Sequence, residues 1–151
     1  MKIFSFLVLL MLSLSVYAKD VLVVRDAVVP EKPPSVTVMG GFMTIENPGN
    51  KEIRIVNISS SQFSHVEMHQ TVIKDNLAKM IKQKALIVPA KGKLELKRGS
   101  YHLMLYDPKV EFKTGDTVEL VLKLHNGASQ KVMAKVMPAT LDDDHSQHHH
   151  H

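Results

Sequence analysis

The chain has 151 residues, with nine methionines, nine histidines and no cysteine, and its formal net charge at pH 7 is +4. The missing cysteine excludes thiol catalysis, a thiolate zinc site and the cysteine ligand of a blue-copper centre. The basic residues are scattered, and only 5% of the residues are aromatic, which argues against a nucleic-acid-binding surface.

Residues 1–18, MKIFSFLVLLMLSLSVYA, have the pattern of a secretory signal peptide. Lys2 precedes an apolar stretch, and the small residues Val16 and Ala18 fit the cleavage rule. The stretch is short for a membrane span, because a spanning helix needs about 20 apolar residues. No cysteine follows it to carry a lipid. We therefore expect cleavage after Ala18 and export of a chain without a membrane span.

The chain from residue 19 to residue 137 contains short runs that alternate apolar and polar residues, as β-strands do. The predicted strands are 21–29, 35–47, 52–59, 64–72, 80–88, 92–99, 101–106, 117–127 and 129–137. Turns are predicted at 75–76 and 89–92, and Gly40-Gly41 marks a bulge or a close approach of backbone. About nine short strands and almost no helix predict a single all-β domain, an antiparallel sandwich or barrel.

Imidazole nitrogen and thioether sulfur together favour Cu(I). The candidate donors in the predicted domain are His65, His69, His102, His125, Met39, Met43, Met68, Met80, Met104, Met133 and Met137. Most methionines fill hydrophobic cores, and we interpret Met39, Met133 and Met137 in this way. Met68 points away from His69 on a regular strand, which also predicts a core position, with a role as a substitute ligand as the alternative.

The stretch YHLMLYD, residues 101–107, places His102 and Met104 on the same face of a strand. Their Cβ atoms are then roughly 6.5–7 Å apart, so both side chains can close on one metal ion. Tyr106 and Glu67 are candidate hydrogen-bond partners of the ligands, although solvent exposure is the preferred interpretation for Glu67. His125 precedes Asn126-Gly127 and is predicted to lie in a turn.

Four donors form the pattern H-x10-M-x21-H-x-M, namely His69, Met80, His102 and Met104. This pattern, within the blocks GGFMTIEN, VEMHQT, IVPAKGKLELKRGSYHLMLYD and KTGDTVELVLKL, resembles the periplasmic copper chaperone family PCu(A)C. The resemblance covers most of residues 40–125. It implies a cupredoxin-like Greek-key β-sandwich or barrel that binds one Cu(I) ion through these four side chains.

The resemblance also implies a monomer in the periplasm of a Gram-negative bacterium that delivers copper. The implied acceptor is the CuA subunit of cytochrome c oxidase or a thiol-bearing assembly factor. A copper buffer or resistance protein without a dedicated acceptor is an alternative function for the same site. A structural β-sandwich with incidental His and Met is a third, which the spacing of the four ligands argues against. An enzyme is not expected, since the sequence shows no catalytic nucleophile or carboxylate pair.

The C-terminal residues 138–151, PATLDDDHSQHHHH, have no apolar period and are expected to be disordered. Two interpretations remain open, an expression tag and a native metal-binding tail. Four consecutive histidines instead of six, preceded by DDDHSQ, favour the native tail. Its histidines at 145 and 148–151 and aspartates at 142–144 would suit Cu(II), Zn or Ni.

Overall fold

The computed structural model describes residues 22–139, so the predicted signal peptide and almost all of the predicted tail lie outside the described residues. The described strands are β1 (Val23–Pro30), β2 (Val38–Glu46), β3 (Ile53–Ser59), β4 (Phe63–Lys74), β5 (Leu77–Lys82), β6 (Leu86–Val88), β7 (Lys93–Leu96), β8 (Tyr101–Pro108), β9 (Thr117–Leu124) and β10 (Ser129–Met137). Within residues 22–139, no helix is long and apolar enough to cross a membrane.

The strands form one hydrogen-bonded sheet in the order β5-β4-β8-β7-β2-β1-β10-β9-β3-β6, in which β2 also pairs with β8. Most neighbours are antiparallel, whereas β1 and β10 are parallel, as are β7 and β8. Side chains from strands throughout this order form one core, with Ile45, Ile55, Leu105 and Leu122 among its fully buried members. The prediction of an all-β fold is confirmed.

The predicted strand 80–88 is wrong, because its residues belong to two strands at opposite edges of the sheet. β5 pairs with β4 at one edge, and β6 pairs with β3 at the other. The chain therefore crosses between the edges after Lys82. The predicted turn at Asp75-Asn76 is confirmed, since both residues have positive φ angles, 53° and 59°, as in the two-residue turns of β-hairpins.

The close approach predicted at Gly40-Gly41 is confirmed at Gly41, which pairs with Leu103 of β8. A Cβ atom on Gly41 would lie 3.0 Å from Leu105 Cδ1 and 3.1 Å from Leu103 Cβ. Only a residue without a side chain fits there without displacing these leucines. This packing holds the core face of β8, whose other face carries His102 and Met104.

Alternation along β10 determines which of its side chains are buried. Its buried positions are Val132, Ala134 and Val136. Met133 and Met137 lie on the other face and are 57% and 45% exposed, so the prediction that they fill the core is wrong. Their position in the strand outweighs their hydrophobicity. Met39 and Met68 are buried, as predicted.

Candidate metal centre

The two histidines of the motif meet on adjacent strands. β4 and β8 pair antiparallel, and their register places His69 directly opposite His102. The centroids of the two imidazole rings are 5.9 Å apart, and the ring planes are tilted by 37°. Both side chains are buried. Folding therefore brings together two imidazoles that lie far apart in the sequence.

Met104 lies on the same face of the sheet as His102, two residues further along β8. Because His102 is the direct partner of His69, Met104 occupies a position diagonal to His69. Diagonal neighbours in an antiparallel pair are about 7–8 Å apart, which is within reach of long side chains.

Met80 lies on β5, which neighbours β4 on the side away from β8. β5 pairs Lys82 with His69 and Met80 with Thr71, so Met80 is also diagonal to His69 on the same face. The four predicted ligands therefore share one face of three adjacent strands, β5, β4 and β8. Met80 is 62% exposed, in contrast to the buried histidines.

A cleft of about 680 Å³ opens on this face, with Met80, His102 and Met104 among its lining residues. His69 does not line the cleft and joins the group through its pairing with His102. Gly40 of β2, which pairs with Met104, also lines the cleft and presents no side chain there.

The hydrogen bonds of the two histidines leave one ring nitrogen free on each. His69 Nε2 lies 2.8 Å from Glu67 Oε2, and His102 Nδ1 lies 2.9 Å from the Ser100 carbonyl oxygen. Among the described residues, the buried side-chain nitrogens and oxygens that have no hydrogen-bond partner are His69 Nδ1 and His102 Nε2. A buried polar atom without a partner costs free energy, and metal coordination would satisfy both nitrogens.

Glu67 is not the solvent-exposed residue that the sequence favoured. Only 18% of its side chain is exposed, because Glu67 lies on the ligand face beside His69 and opposite Met104. Lys82 Nζ donates to its second oxygen, Oε1. The hydrogen bond from Lys82, followed by that from His69, lowers the pKa of Glu67 to about 2. Glu67 is thus an anion that contacts one predicted ligand directly.

Tyr106 supports Met104, as the sequence suggested. Its hydroxyl oxygen lies 3.6 Å from Met104 Sδ and 3.4 Å from Glu67 Oε2, and its single proton can be donated to either atom. Burial, followed by the negative charge of Glu67, raises the pKa of Tyr106, so the phenol stays protonated. His65 stacks on the Tyr106 ring, with centroids 4.3 Å apart.

The four predicted ligands form a soft, neutral donor set. Two imidazoles and two thioethers suit Cu(I) better than a divalent ion that prefers oxygen donors. No group of three or more His, Cys, Asp or Glu side chains that could hold a metal ion occurs in the described part of the chain.

His125 lies in a turn, where its Nδ1 accepts a hydrogen bond from the Arg54 amide, as predicted. The His-rich tail lies outside the described residues.

Comparison with known proteins finds a matching family model and similar sequences. A family model described as "Putative lipoprotein LpqE-like" matches residues 22–136. The chain is similar to the uncharacterized protein RP573 of Rickettsia prowazekii, with 32% identity over 71% of this chain and 63% of that protein. It spans about three fifths of the length of the curated relatives it matches.

Among solved structures, the copper-bound PCuAC domain from PmoF2 has a TM-score of 0.66 at 16% identity, covering 78% of this chain and 92% of that domain. Apo-DR1885 from Deinococcus radiodurans has a TM-score of 0.61 at 30% identity, covering 78% of each chain. DR1885 is also solved in a form named CuI-DR1885, which is 29% identical and has a TM-score of 0.60 over 80% of this chain and 81% of that one. These similarities confirm the cupredoxin-like β-fold and the PCu(A)C resemblance that the sequence predicts, and the chain belongs to the LpqE-like family.

Proposed function

We propose that this protein binds one Cu(I) ion through His69 Nδ1, His102 Nε2 and the sulfur atoms of Met80 and Met104, and that it is a copper chaperone of the periplasm. The proposed destination is the CuA centre of cytochrome c oxidase, reached directly or through a thiol-bearing assembly factor. The protein would carry the ion by ligand exchange and perform no reaction on it.

The observation that carries the proposal is the pair of buried ring nitrogens without partners, His69 Nδ1 and His102 Nε2. On each ring the other nitrogen is already hydrogen-bonded, which is the usual arrangement of a metal-ligating histidine. A purely structural pair of buried histidines would be expected to satisfy both nitrogens. The Cu(I) form of DR1885 supports copper as the ion.

The different burial of the four ligands supports delivery over permanent storage. His69 and His102 lie on β4 and β8, which have a paired strand on each side, whereas Met80 lies on the edge strand β5, all six residues of which are exposed. A partner protein can therefore reach Met80 first and replace it with its own donor while the histidines still hold the ion. A thiolate acceptor should bind Cu(I) more tightly than this thiolate-free set, so the transfer runs downhill.

An anaerobic Cu(I) titration against a competing chelator tests the binding step. The wild-type chain should take up one Cu(I), and a variant with His102→Gln and Met104→Leu should lose this uptake. A matched control carries His125→Gln and Met133→Leu, which change the same residue types in a turn and on the outer face of β10. Equal Cu(I) uptake by all three proteins would contradict the proposed site.

The delivery step needs a separate experiment, because a copper buffer would use the same site. Cu(I)-loaded protein is mixed with the reduced, metal-free CuA domain, with and without a chelator that captures free Cu(I). Direct delivery predicts that copper reaches the CuA domain at the same rate in both mixtures. If copper stays on this protein, or moves only without the chelator, buffering is the better description.

A further inference from the structure

Glu67 contacts His69 in a way that determines which nitrogen the imidazole can offer. The carboxylate lies on the same face of β4, two residues before His69, with Oε2 2.8 Å from Nε2. An ionised carboxylate can only accept hydrogen bonds. The single ring proton of neutral His69 must therefore sit on Nε2 and be donated to Glu67, which leaves the lone pair on Nδ1.

His102 has the opposite arrangement. Its Nδ1 lies 2.9 Å from the carbonyl oxygen of Ser100, which is also only an acceptor. The ring proton of His102 is therefore on Nδ1, and its lone pair is on Nε2. The two histidines thus present different nitrogens, and in both cases these are the buried nitrogens without a partner.

We propose that Glu67 is a positioning residue of the copper site, which holds His69 in the Nε2–H tautomer with Nδ1 free and supplies the negative charge beside the Cu(I) ion. This inference rests on the proposed function. The four ligands are neutral. Glu67 adds a negative charge on this face, in direct contact with the ligand His69. Like other carboxylates that hydrogen-bond a metal-ligating histidine, it should raise the basicity of the ring.

The carboxylate is itself held in place from the neighbouring strands. Lys82 of β5 donates to Oε1, and the Tyr106 hydroxyl of β8 lies 3.4 Å from Oε2. Lys82 is on the same strand face as Met80, two residues further along β5. The Lys82–Glu67 ion pair therefore connects the edge strand that carries Met80 to the strand that carries His69.

The tautomers can be measured in the copper-free protein by long-range ¹⁵N–¹H correlation NMR of the imidazole rings at pH 8. We expect His69 to be protonated on Nε2 and His102 on Nδ1. If His69 of the wild-type protein carries its proton on Nδ1, the inference is overturned, whether or not the protein binds copper. This measurement separates a failure of the inference from a failure of the proposed function.

Two variants then separate orientation from charge. In Glu67→Gln combined with Lys82→Met, no lysine competes for the single amide oxygen. The oxygen can then still accept from Nε2–H, so the tautomer should be kept while the charge is lost. In Glu67→Ala the tautomers of His69 should become mixed, those of His102 should not change, and the dissociation constant for Cu(I) should rise about 10- to 100-fold. The dissociation constant of the Glu67→Gln, Lys82→Met variant for Cu(I) should fall between those of Glu67→Ala and the wild type.

Glu95→Ala is the matched control, because Glu95 is a glutamate that accepts hydrogen bonds from lysines, Lys93 and Lys97, and not from a histidine. It should leave the tautomers and the Cu(I) affinity unchanged. Amide spectra of each variant check that the fold is intact. If the Glu67→Ala protein is folded and matches the wild type in both His69 tautomer and Cu(I) affinity, Glu67 has no positioning role.

Discussion

Binding of Cu(I) should raise the melting temperature of the protein by an amount that can be worked out from its size. A ligand that binds only the folded state stabilises it by about 2.7 kcal/mol when its free concentration is 100 times the dissociation constant. The described domain has about 120 residues, and its entropy of unfolding is therefore about 0.25 kcal/mol/K. The expected shift is about 11 °C, and each further tenfold increase in free Cu(I) adds about 1.4 kcal/mol, or 5–6 °C.

The assay is anaerobic thermal unfolding followed by circular dichroism, with free Cu(I) set by a competing chelator. The variant with His102→Gln and Met104→Leu should show no copper-dependent shift, although its copper-free melting temperature falls moderately because His102 is buried and bonded to Ser100. The control with His125→Gln and Met133→Leu should shift like the wild type. A shift of equal size in the ligand-site variant would refute the assignment of the site.

Four further outcomes are expected. Met80→Leu should change the free energy of unfolding by less than about 0.5 kcal/mol, since Met80 is 62% exposed, yet weaken Cu(I) binding in a chelator titration. Gly41→Ala should destabilise the fold by about 1–3 kcal/mol in urea unfolding, because its Cβ would lie 3.0 Å from Leu105 Cδ1; an unchanged midpoint would contradict this packing. The hydrogen bonds from Thr114 lower the pKa of Glu31, so the difference in melting temperature between wild type and Glu31→Gln should be constant above pH 5 and shrink as the pH falls below about 4.3. Deleting residues 138–151 should leave Cu(I) binding at the core site intact while removing Cu(II) capacity, and an equal Cu(II) stoichiometry in both forms would place a second site elsewhere.

Strand positions were predictable where one face is buried and the other exposed. In β9, for example, burial alternates along the strand, and the sequence alternates with it. The 80–88 segment was not predictable in this way, because every residue of β5 is exposed. The apolar residues of β5 therefore do not indicate which face of the strand is buried. Whether such a segment continues as one strand depends on its partners, and β4 and β3 follow each other in the chain but lie near opposite edges of the sheet.

The side-chain environment of Glu67 could not be read from the sequence for a similar reason. Local alternation shows that Glu67 shares a face with His69, but not what covers that face. Its half-buried state depends on Lys82 from β5 and Tyr106 from β8, which reach it only through the register of three strands. An opposite charge on the neighbouring strand, 15 residues along the chain, carries no local signal in a single sequence.

The spacing of the motif follows from the geometry of the sheet. A two-residue turn at Asp75-Asn76 fixes the register of the β4–β5 hairpin, in which His69 pairs with Lys82. With ten residues between them, His69 and Met80 become diagonal neighbours on one face, and a single inserted or deleted residue in β5 would move Met80 to the other face. The single residue between His102 and Met104 has the same basis, because alternate residues of a strand share a face.

The remaining interval, from Met80 to His102, obeys no such rule of strand geometry. Its residues leave the β5 edge of the sheet, form β6 at the opposite edge, and return through β7 to β8. The interval must allow the β4–β8 register in which His102 faces His69. That register is specified by the buried side chains on the other face of β8, Leu103 and Leu105, since a one-residue slip would expose them. The same strand therefore encodes its core packing on one face and half of the proposed copper site on the other.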